Sequence, residues 1–104
     1  MEAARRWAPD GIMVNAVHPG AVLTNLMRYL DPQTATSLAA DPQYVFKTPE
    51  QGARTLVHLA TSPGPQLTPG AYYVDERPRQ AAPSATDPDL AQRLWEVSSK
   101  AVGL

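Results

Sequence analysis

The sequence contains no cysteine among its 104 residues. This absence excludes disulfide bonds, catalytic thiolates and cysteine metal sites, and it is typical of proteins from a reducing compartment. No apolar run approaches the ~20 residues that a membrane-spanning helix needs. The first residues also lack the apolar stretch of a signal peptide. We therefore expect a soluble, cytoplasmic protein without a membrane span.

Excess charge of one sign is also missing. Nine basic and ten acidic residues give a formal net charge of −1, and Arg5-Arg6 is the only adjacent basic pair. Nucleic acids and acidic membranes attract clustered Lys and Arg, so we expect neither as a partner. His18 and His58 lack metal-ligand spacing, and no metal site is expected.

Two segments have the composition of strands. Residues 12–17 are apolar in the manner of a strand packed on both faces, as in parallel α/β sheets. Residues 71–74 predict a second, short strand. A strand buried on both faces needs sheet partners at each edge and helices above and below it. Because the chain offers one other strand, the sequence predicts an α/β fold that is incomplete on its own, the trailing part of a doubly wound parallel sheet.

Helices are predicted between and around these strands. Thr48, Pro49 and Gln51 have capping-box spacing and begin a helix with an apolar stripe. The remaining predictions are a helix end at residues 2–8, a short helix at 24–30, a helical turn at 35–40, a linker at 76–86 and a helix from Asp87. The stripe of the 48–60 helix is Ala53, Leu56, Val57 and Ala60, and that of the last helix is Leu90, Leu94, Val97 and Ala101.

The most informative pattern is Asn15-x-x-x-Pro19-Gly20-x-x-x-Thr24. In parallel α/β sheets, ligands bind beyond the carboxyl ends of the strands, which is where this Pro-Gly turn falls. The pattern resembles the short-chain dehydrogenase/reductase family, in its retinol-dehydrogenase-like branch. Further segments carry the resemblance along the chain: Thr48-Pro49-Glu50-Gln51-Gly52-Ala53, Ser62-Pro63, Gly70-Ala71-Tyr72-Tyr73-Val74-Asp75, Arg93-Leu94-Trp95-Glu96-Val97-Ser98 and Val102-Gly103-Leu104.

The resemblance implies a cofactor, NAD or NADP, at this turn in the full-length relative. Pro19, Gly20, Val22 and Thr24 would be cofactor-binding, with the Val22 main chain and the Thr24 hydroxyl facing the nicotinamide carboxamide and a nearby phosphate. The alternative is that Thr24 only caps the following helix. Residues 25–46 would be a substrate lid for a hydrophobic alcohol or carbonyl compound, or a plain surface loop. The apolar residues of this segment are Met27, Tyr29, Leu30, Leu38, Tyr44 and Phe46.

Six further side chains are expected to have structural roles. Asn15 should make hydrogen bonds at its strand, and His18 should be a neutral histidine packed beside the turn rather than an acid or base. Tyr72 and Tyr73 should place one ring inward and one outward. Leu94-Trp95 should anchor the last helix against a core.

No catalytic residue is predicted. The family's Tyr-x-x-x-Lys pair is absent, because the residues four places after the tyrosines are Gln33, Thr48, Glu76 and Arg77. The resemblance places that pair just before Met1. The six glycines also cannot form the glycine-rich turn that cradles a pyrophosphate.

We interpret residues 1–104 as a partial dehydrogenase domain of Rossmann type, with its last two strands, substrate-loop region and carboxyl-terminal helices. It resembles part of an NAD(P)-dependent oxidoreductase and should be inactive alone. The alternative is a non-catalytic binding or oligomerisation fragment that self-associates through unpaired strand edges. A misplaced start codon is a third interpretation, which the DNA upstream of Met1 would test.

Overall fold

The computed structural model describes the backbone of residues 1–104 and every side chain except that of Met27. The fold is α/β, as predicted. Its helices are α1 (Glu2–Trp7), α2 (Pro32–Ala40), α3 (Pro49–Thr61), α4 (Pro83–Thr86) and α5 (Pro88–Val102). Its strands are β1 (Ala16–His18), β2 (Tyr72–Val74) and β3 (Arg77–Arg79), and short 3₁₀ helices cover Ala8–Asp10, Asn25–Tyr29 and Gly64–Gln66.

The three strands form one mixed sheet in the order β1-β2-β3. β1 and β2 are parallel, with Ala16 opposite Tyr72, as expected of two strands from a parallel sheet. β2 and β3 are antiparallel. The linker predicted at residues 76–86 is wrong, because β3 and α4 lie within it. Asp75 and Glu76 form the tight connection at positive φ values of 51° and 61°, although neither is glycine.

The first strand is shorter than predicted. Residues 12–15 lie outside β1, and the side chains of Ile12 and Met13 are 51% and 38% exposed. β1 is an edge strand whose partner, β2, has three residues. The prediction failed because this short partner pairs with residues 16–18 alone. The expected partners at both edges of the strand are therefore not seen in the described residues.

Helix α3 begins as predicted but buries another face. Thr48 Oγ1 accepts from Gln51 N at 3.2 Å, while Gln51 Oε1 accepts from Thr48 N at 2.9 Å, which is a capping box. The buried residues of α3 are Gly52 and Thr55. The predicted apolar stripe is largely uncovered, with Leu56 and Val57 more than half exposed. The prediction that this apolar stripe is the packed face of α3 was therefore wrong.

Helices α1 and α5 meet through their tryptophans. The rings of Trp7 and Trp95 lie 5.6 Å apart in an edge-to-face arrangement, and the Arg6 guanidinium lies 4.9 Å from the centre of the Trp95 ring. Trp95 is therefore a helix anchor, as predicted. Its neighbour Leu94 is not an anchor, because its side chain is 67% exposed. The other residues of its predicted stripe are exposed as well.

The hydrophobic core is small. Leu67 and Tyr73 are the buried large apolar side chains among those described, while Tyr72 is half-buried, so the two tyrosine rings divide as predicted. The accessible surface is 8017 Å², whereas a compact 11.2 kDa monomer exposes about 5,700 Å². The radius of gyration is 16.9 Å, against about 13 Å for a compact domain of this length. The chain thus leaves much apolar surface uncovered.

Among the described helices, none combines the length and the apolar character needed to cross a membrane.

Candidate functional site

The turn that follows β1 is built on Pro19 and Gly20. Gly20 has a φ of +88°, a backbone conformation that side-chain-bearing residues rarely adopt. The His18 ring folds back over the turn, and its Nδ1 accepts a hydrogen bond from Gly20 N at 3.0 Å. An accepting Nδ1 carries no proton, so this bond requires the neutral ring expected from the sequence. His18 therefore shapes the turn.

The next residues are fixed by a short parallel pairing with the segment before α3. Lys47 N donates to Ala21 O at 2.8 Å, and Leu23 N donates to Lys47 O at 3.0 Å. Alternate residues of an extended segment direct their backbone groups to opposite sides. The N–H and C=O of Val22 consequently point away from Lys47, towards the other side of the segment.

Helix α3 packs closely against the side chain of Val22. A Cβ atom added to Gly52 would lie 2.6 Å from Val22 Cγ2, so only glycine permits this approach. Val22, two residues after Gly20, is thus fixed by its backbone and by its side chain.

An ion pair closes one end of this arrangement. Lys47 Nζ lies 2.5 Å from Asp75 Oδ1, although the two residues are 28 positions apart. The hydrogen bond from Lys47 lowers the pKa of Asp75 below its usual value, with a smaller contribution from the charge of Arg79. Beside Asp75, Glu76 N donates to the hydroxyl of the buried Thr55 at 3.1 Å.

The four predicted cofactor-binding residues all lie on this one segment. Pro19 and Thr24 are exposed, while Gly20 and Val22 are half-buried. Thr24 Oγ1 accepts from Leu26 N at 3.3 Å at the start of the 3₁₀ helix, so the alternative capping role is realised. The same hydroxyl keeps its own proton free for donation. Their contact with a cofactor stays a prediction.

Asn15 has the structural role expected of it. Its Oδ1 accepts from Ala71 N at 3.1 Å, and the neighbouring Gly70 N donates to Val14 O at 3.0 Å. These bonds join residues 14 and 15 to residues 70 and 71, directly before the paired strands.

Residues 25–46, the candidate lid, are largely open to solvent. Tyr29 is 72% exposed, and Tyr44 stacks on Phe46 with ring centres 6.1 Å apart. Met27 was assigned to the same apolar set, but its side chain lies outside the described part. The last residues of the candidate lid line a cleft of about 460 Å³. The cleft is lined by Val45, Phe46, Lys47, Gln51, Arg54, Thr55, Asp75 and Glu76. That this segment covers a substrate stays a prediction.

Sequence reasoning missed Lys47, Gly52, Thr55 and Asp75. A signal for Asp75 existed, since it directly follows a predicted strand parallel to β1, and parallel strands end at the same sheet edge. Lys47 had no such signal, because it lies between predicted elements. Within the described residues there is also no group of three potential metal ligands.

The chain resembles known oxidoreductases over almost its whole length. A Streptomyces antibioticus protein named "Probable oxidoreductase" is 40% identical over 117 residues, covering 95% of this chain and 39% of that protein. Human retinol dehydrogenase 14 is 37% identical over 109 residues, covering 99% of this chain and 31% of that protein. Human retinol dehydrogenase 13 is 34% identical over 107 residues, covering 99% and 32%.

This chain thus spans between 31% and 39% of the length of these curated relatives. No family model matches the chain, and no solved structure matches it.

Proposed function

Since the chain belongs to the short-chain dehydrogenase/reductase family and corresponds to the carboxyl-terminal part of its retinol-dehydrogenase-like members, we propose that residues 19–24 form one wall of a nicotinamide site. The activity would be hydride transfer between NAD or NADP and a hydrophobic alcohol or carbonyl compound. The contacts would come from Pro19, Gly20, Val22 and Thr24.

The orientation of Val22 carries this proposal. Its neighbours Ala21 and Leu23 use their backbone groups to bind Lys47, so the N–H and C=O of Val22 point to the opposite side. A nicotinamide carboxamide has one acceptor oxygen and one donor nitrogen group. A fixed backbone donor and acceptor on one residue suit this group and would hold the ring in a single orientation.

The remaining residues fit the same ligand. Gly20 allows close approach at the turn, and the exposed Thr24 hydroxyl can donate to an anionic oxygen. The cofactor, when bound, supplies the hydride chemistry. The chain's own residues would bind and orient it, while the proton relay and the pyrophosphate cradle would come from elsewhere, since neither motif occurs in residues 1–104.

Amide NMR of the isotope-labelled chain tests the cofactor wall. Addition of NADH or NADPH at millimolar concentration should shift the amide signals of Val22 and Thr24. The amide of Gly64, which lies in a separate 3₁₀ helix, serves as the internal control. Equal shifts at Gly64, or no shift at Val22, would contradict the proposal.

Enzyme assays test the second half of the proposal. The purified chain should not oxidise NADH or NADPH above background in the presence of a hydrophobic aldehyde, because it lacks Tyr-x-x-x-Lys. Robust turnover would show that the missing proton relay is not required.

A second candidate function is self-association through the outer edge of β1. The outer edge of the sheet at β3 is protected by the charges and proline of Arg77-Pro78-Arg79, whereas β1 has neither. The chain exposes about 2,300 Å² more than a compact monomer of its mass. A stable dimer buries about 1,200–2,000 Å², so the uncovered area suffices for one.

Sedimentation velocity tests this candidate. The wild-type chain should shift from monomer to dimer as its concentration rises, and Ala16→Lys should remain monomeric because it places a charge on the β1 edge. Ala39→Lys adds the same charge on the exposed surface of α2 and should dimerise like the wild type. A wild-type chain that stays monomeric throughout would exclude this candidate.

A further inference from the structure

Lys47 joins three parts of the fold that are distant in the sequence. Its backbone pairs with Ala21 and Leu23 of the cofactor turn. Its side chain covers Gly20, where a Cβ atom would lie 3.1 Å from Lys47 Cδ, Cε and Nζ. Its ammonium then reaches Asp75 in the β2–β3 connection. One residue therefore links the turn after β1, the segment before α3 and the end of β2.

We propose that Lys47 is a positioning residue that fixes the cofactor turn against Asp75 by laying its aliphatic chain across Gly20. The inference rests on the proposed function in one respect, namely that this turn contacts a nicotinamide cofactor. Lys47 acts through Gly20 and Val22 and is assigned no contact with a cofactor or substrate.

Asp75 is itself held in place, which makes it a useful anchor. It adopts a positive φ of 51°, and the next residue donates its N–H to Thr55, whose side chain is 4% exposed. An anchor with a fixed backbone loses little conformational entropy when it pairs with a flexible lysine. The ammonium is consequently held over the turn rather than left free in the adjoining cleft.

The charges around this pair favour the same arrangement. The charge of Arg79 adds to the hydrogen bond and charge of Lys47 in stabilising the carboxylate form of Asp75. The cleft beside the pair also holds Arg54 and Glu76. Lys47 is 28% exposed and Asp75 is 62% exposed, so the lysine is the more buried partner.

Three substitutions at Lys47 separate the parts of this role in the full chain. Lys47→Met keeps the aliphatic chain and removes the charge, Lys47→Arg keeps the charge, and Lys47→Ala removes both. Lys100→Met removes a lysine from the last turn of α5 and is the matched control. The readouts are amide shifts at Gly20 and Val22 and hydrogen exchange at Leu23, whose N–H bonds to Lys47 O.

Lys47→Met should shift the Gly20 and Val22 signals and accelerate exchange at Leu23 about two- to fivefold, as expected for loss of one surface ion pair. Lys47→Arg should restore wild-type exchange, and Lys47→Ala should show a larger effect than Lys47→Met. Asp75→Asn should reproduce Lys47→Met, and the double variant should be no worse than either single one. Lys100→Met should leave all these signals unchanged.

A pH titration distinguishes positioning from simple loss of stability. In Lys47→Met the pKa of the Asp75 carboxyl, followed by carbon NMR, should rise towards its usual value, and Lys47→Arg should keep it low. Additive effects of Lys47→Met and Asp75→Asn, or a wild-type chain whose Leu23 amide exchanges as fast as an exposed loop, would overturn the inference.

Titration of the wild type and the variants with NADPH tests the positioning role and the cofactor wall separately. If NADPH shifts the Val22 amide equally in the wild type and Lys47→Met, the positioning role fails and the cofactor wall stands. If the variants change the turn as described but NADPH shifts no amide in any of them, the positioning role stands and the cofactor wall fails.

Discussion

Gly52 of α3 lies so close to Val22 that a Cβ atom at position 52 would come within 2.6 Å of Val22 Cγ2. Glycine is a poor helix former, so its presence in the first turns of a 13-residue helix needs a reason. The reason is the approach of α3 to Val22, which follows the Pro19-Gly20 turn. The same contact turns the Gly52 and Thr55 face of α3 inward and leaves Leu56 exposed.

Gly52→Ala should therefore destabilise the chain. The overpacking against Val22 costs about 1–3 kcal/mol, which outweighs the gain in helix propensity of about 1 kcal/mol. Urea unfolding followed by circular dichroism measures the change. Gly64→Ala is the control, because the new Cβ would meet only Met13 Cε at an ordinary 3.5 Å. A Gly52→Ala variant as stable as the wild type would refute this account of the contact.

Features set by neighbouring residues could be predicted from the sequence. The capping box of Thr48 and Gln51 depends on a three-residue spacing, and the Pro19-Gly20 turn depends on two adjacent residues. The strand tyrosines divided as expected, since side chains alternate between the faces of a strand.

Features set by distant contacts could not be predicted. The β2–β3 connection at Asp75 and Glu76 has no glycine to mark it, and its partners Thr55 and Lys47 are 21 and 28 residues away. The packed face of α3 was missed because apolar periodicity does not register a glycine that permits close approach. For the candidate site, the sequence located the turn but not the lysine that lies across it.

Asn15→Ala should weaken the junction between β1 and β2. It removes the nearer of two acceptors for Ala71 N, which also donates to Thr68 O at 3.3 Å, and should cost at most about 1 kcal/mol, the usual net value of one hydrogen bond. Hydrogen exchange at Ala71 should accelerate accordingly. Asn15→Asp keeps an acceptor oxygen and should protect Ala71, while Gln33→Ala, an exposed change in α2, serves as the control. Unchanged exchange in Asn15→Ala would mean that the side-chain bond does not contribute.

Tyr73→Phe tests the ring that is fully buried among the described side chains. The Tyr73 hydroxyl accepts from Thr68 N at 2.9 Å, and the side chain is 2% exposed. Phenylalanine fills the same volume but leaves Thr68 N without this acceptor, so a loss of about 1 kcal/mol is expected in urea unfolding. Tyr72→Phe alters a half-buried ring and is the matched control. Equal losses in both variants would argue against a specific role for the Thr68 bond.

Glu2 gives a pH dependence whose sign follows from its partners. The nearly buried carboxylate accepts from Arg5 at 3.0 Å and 2.5 Å and from Arg6 at 2.7 Å. These bonds, those of Arg5 foremost, lower the pKa of Glu2 from 4.5 to about 2 in the folded chain. A depressed folded-state pKa means that the stabilisation is present above pH 4.5 and is lost as the pH falls towards 2.

Because Arg6 also covers Trp95, which contacts Trp7, tryptophan fluorescence reports on this loss. The signal should change between pH 4.5 and 2 in the wild type. Glu2→Gln cannot titrate and should lack that component, while the lowered pKa values of Asp31, Glu50 and Asp75 leave a background common to both proteins. Identical fluorescence titrations of the wild type and Glu2→Gln would show that Glu2 does not couple α1 to α5.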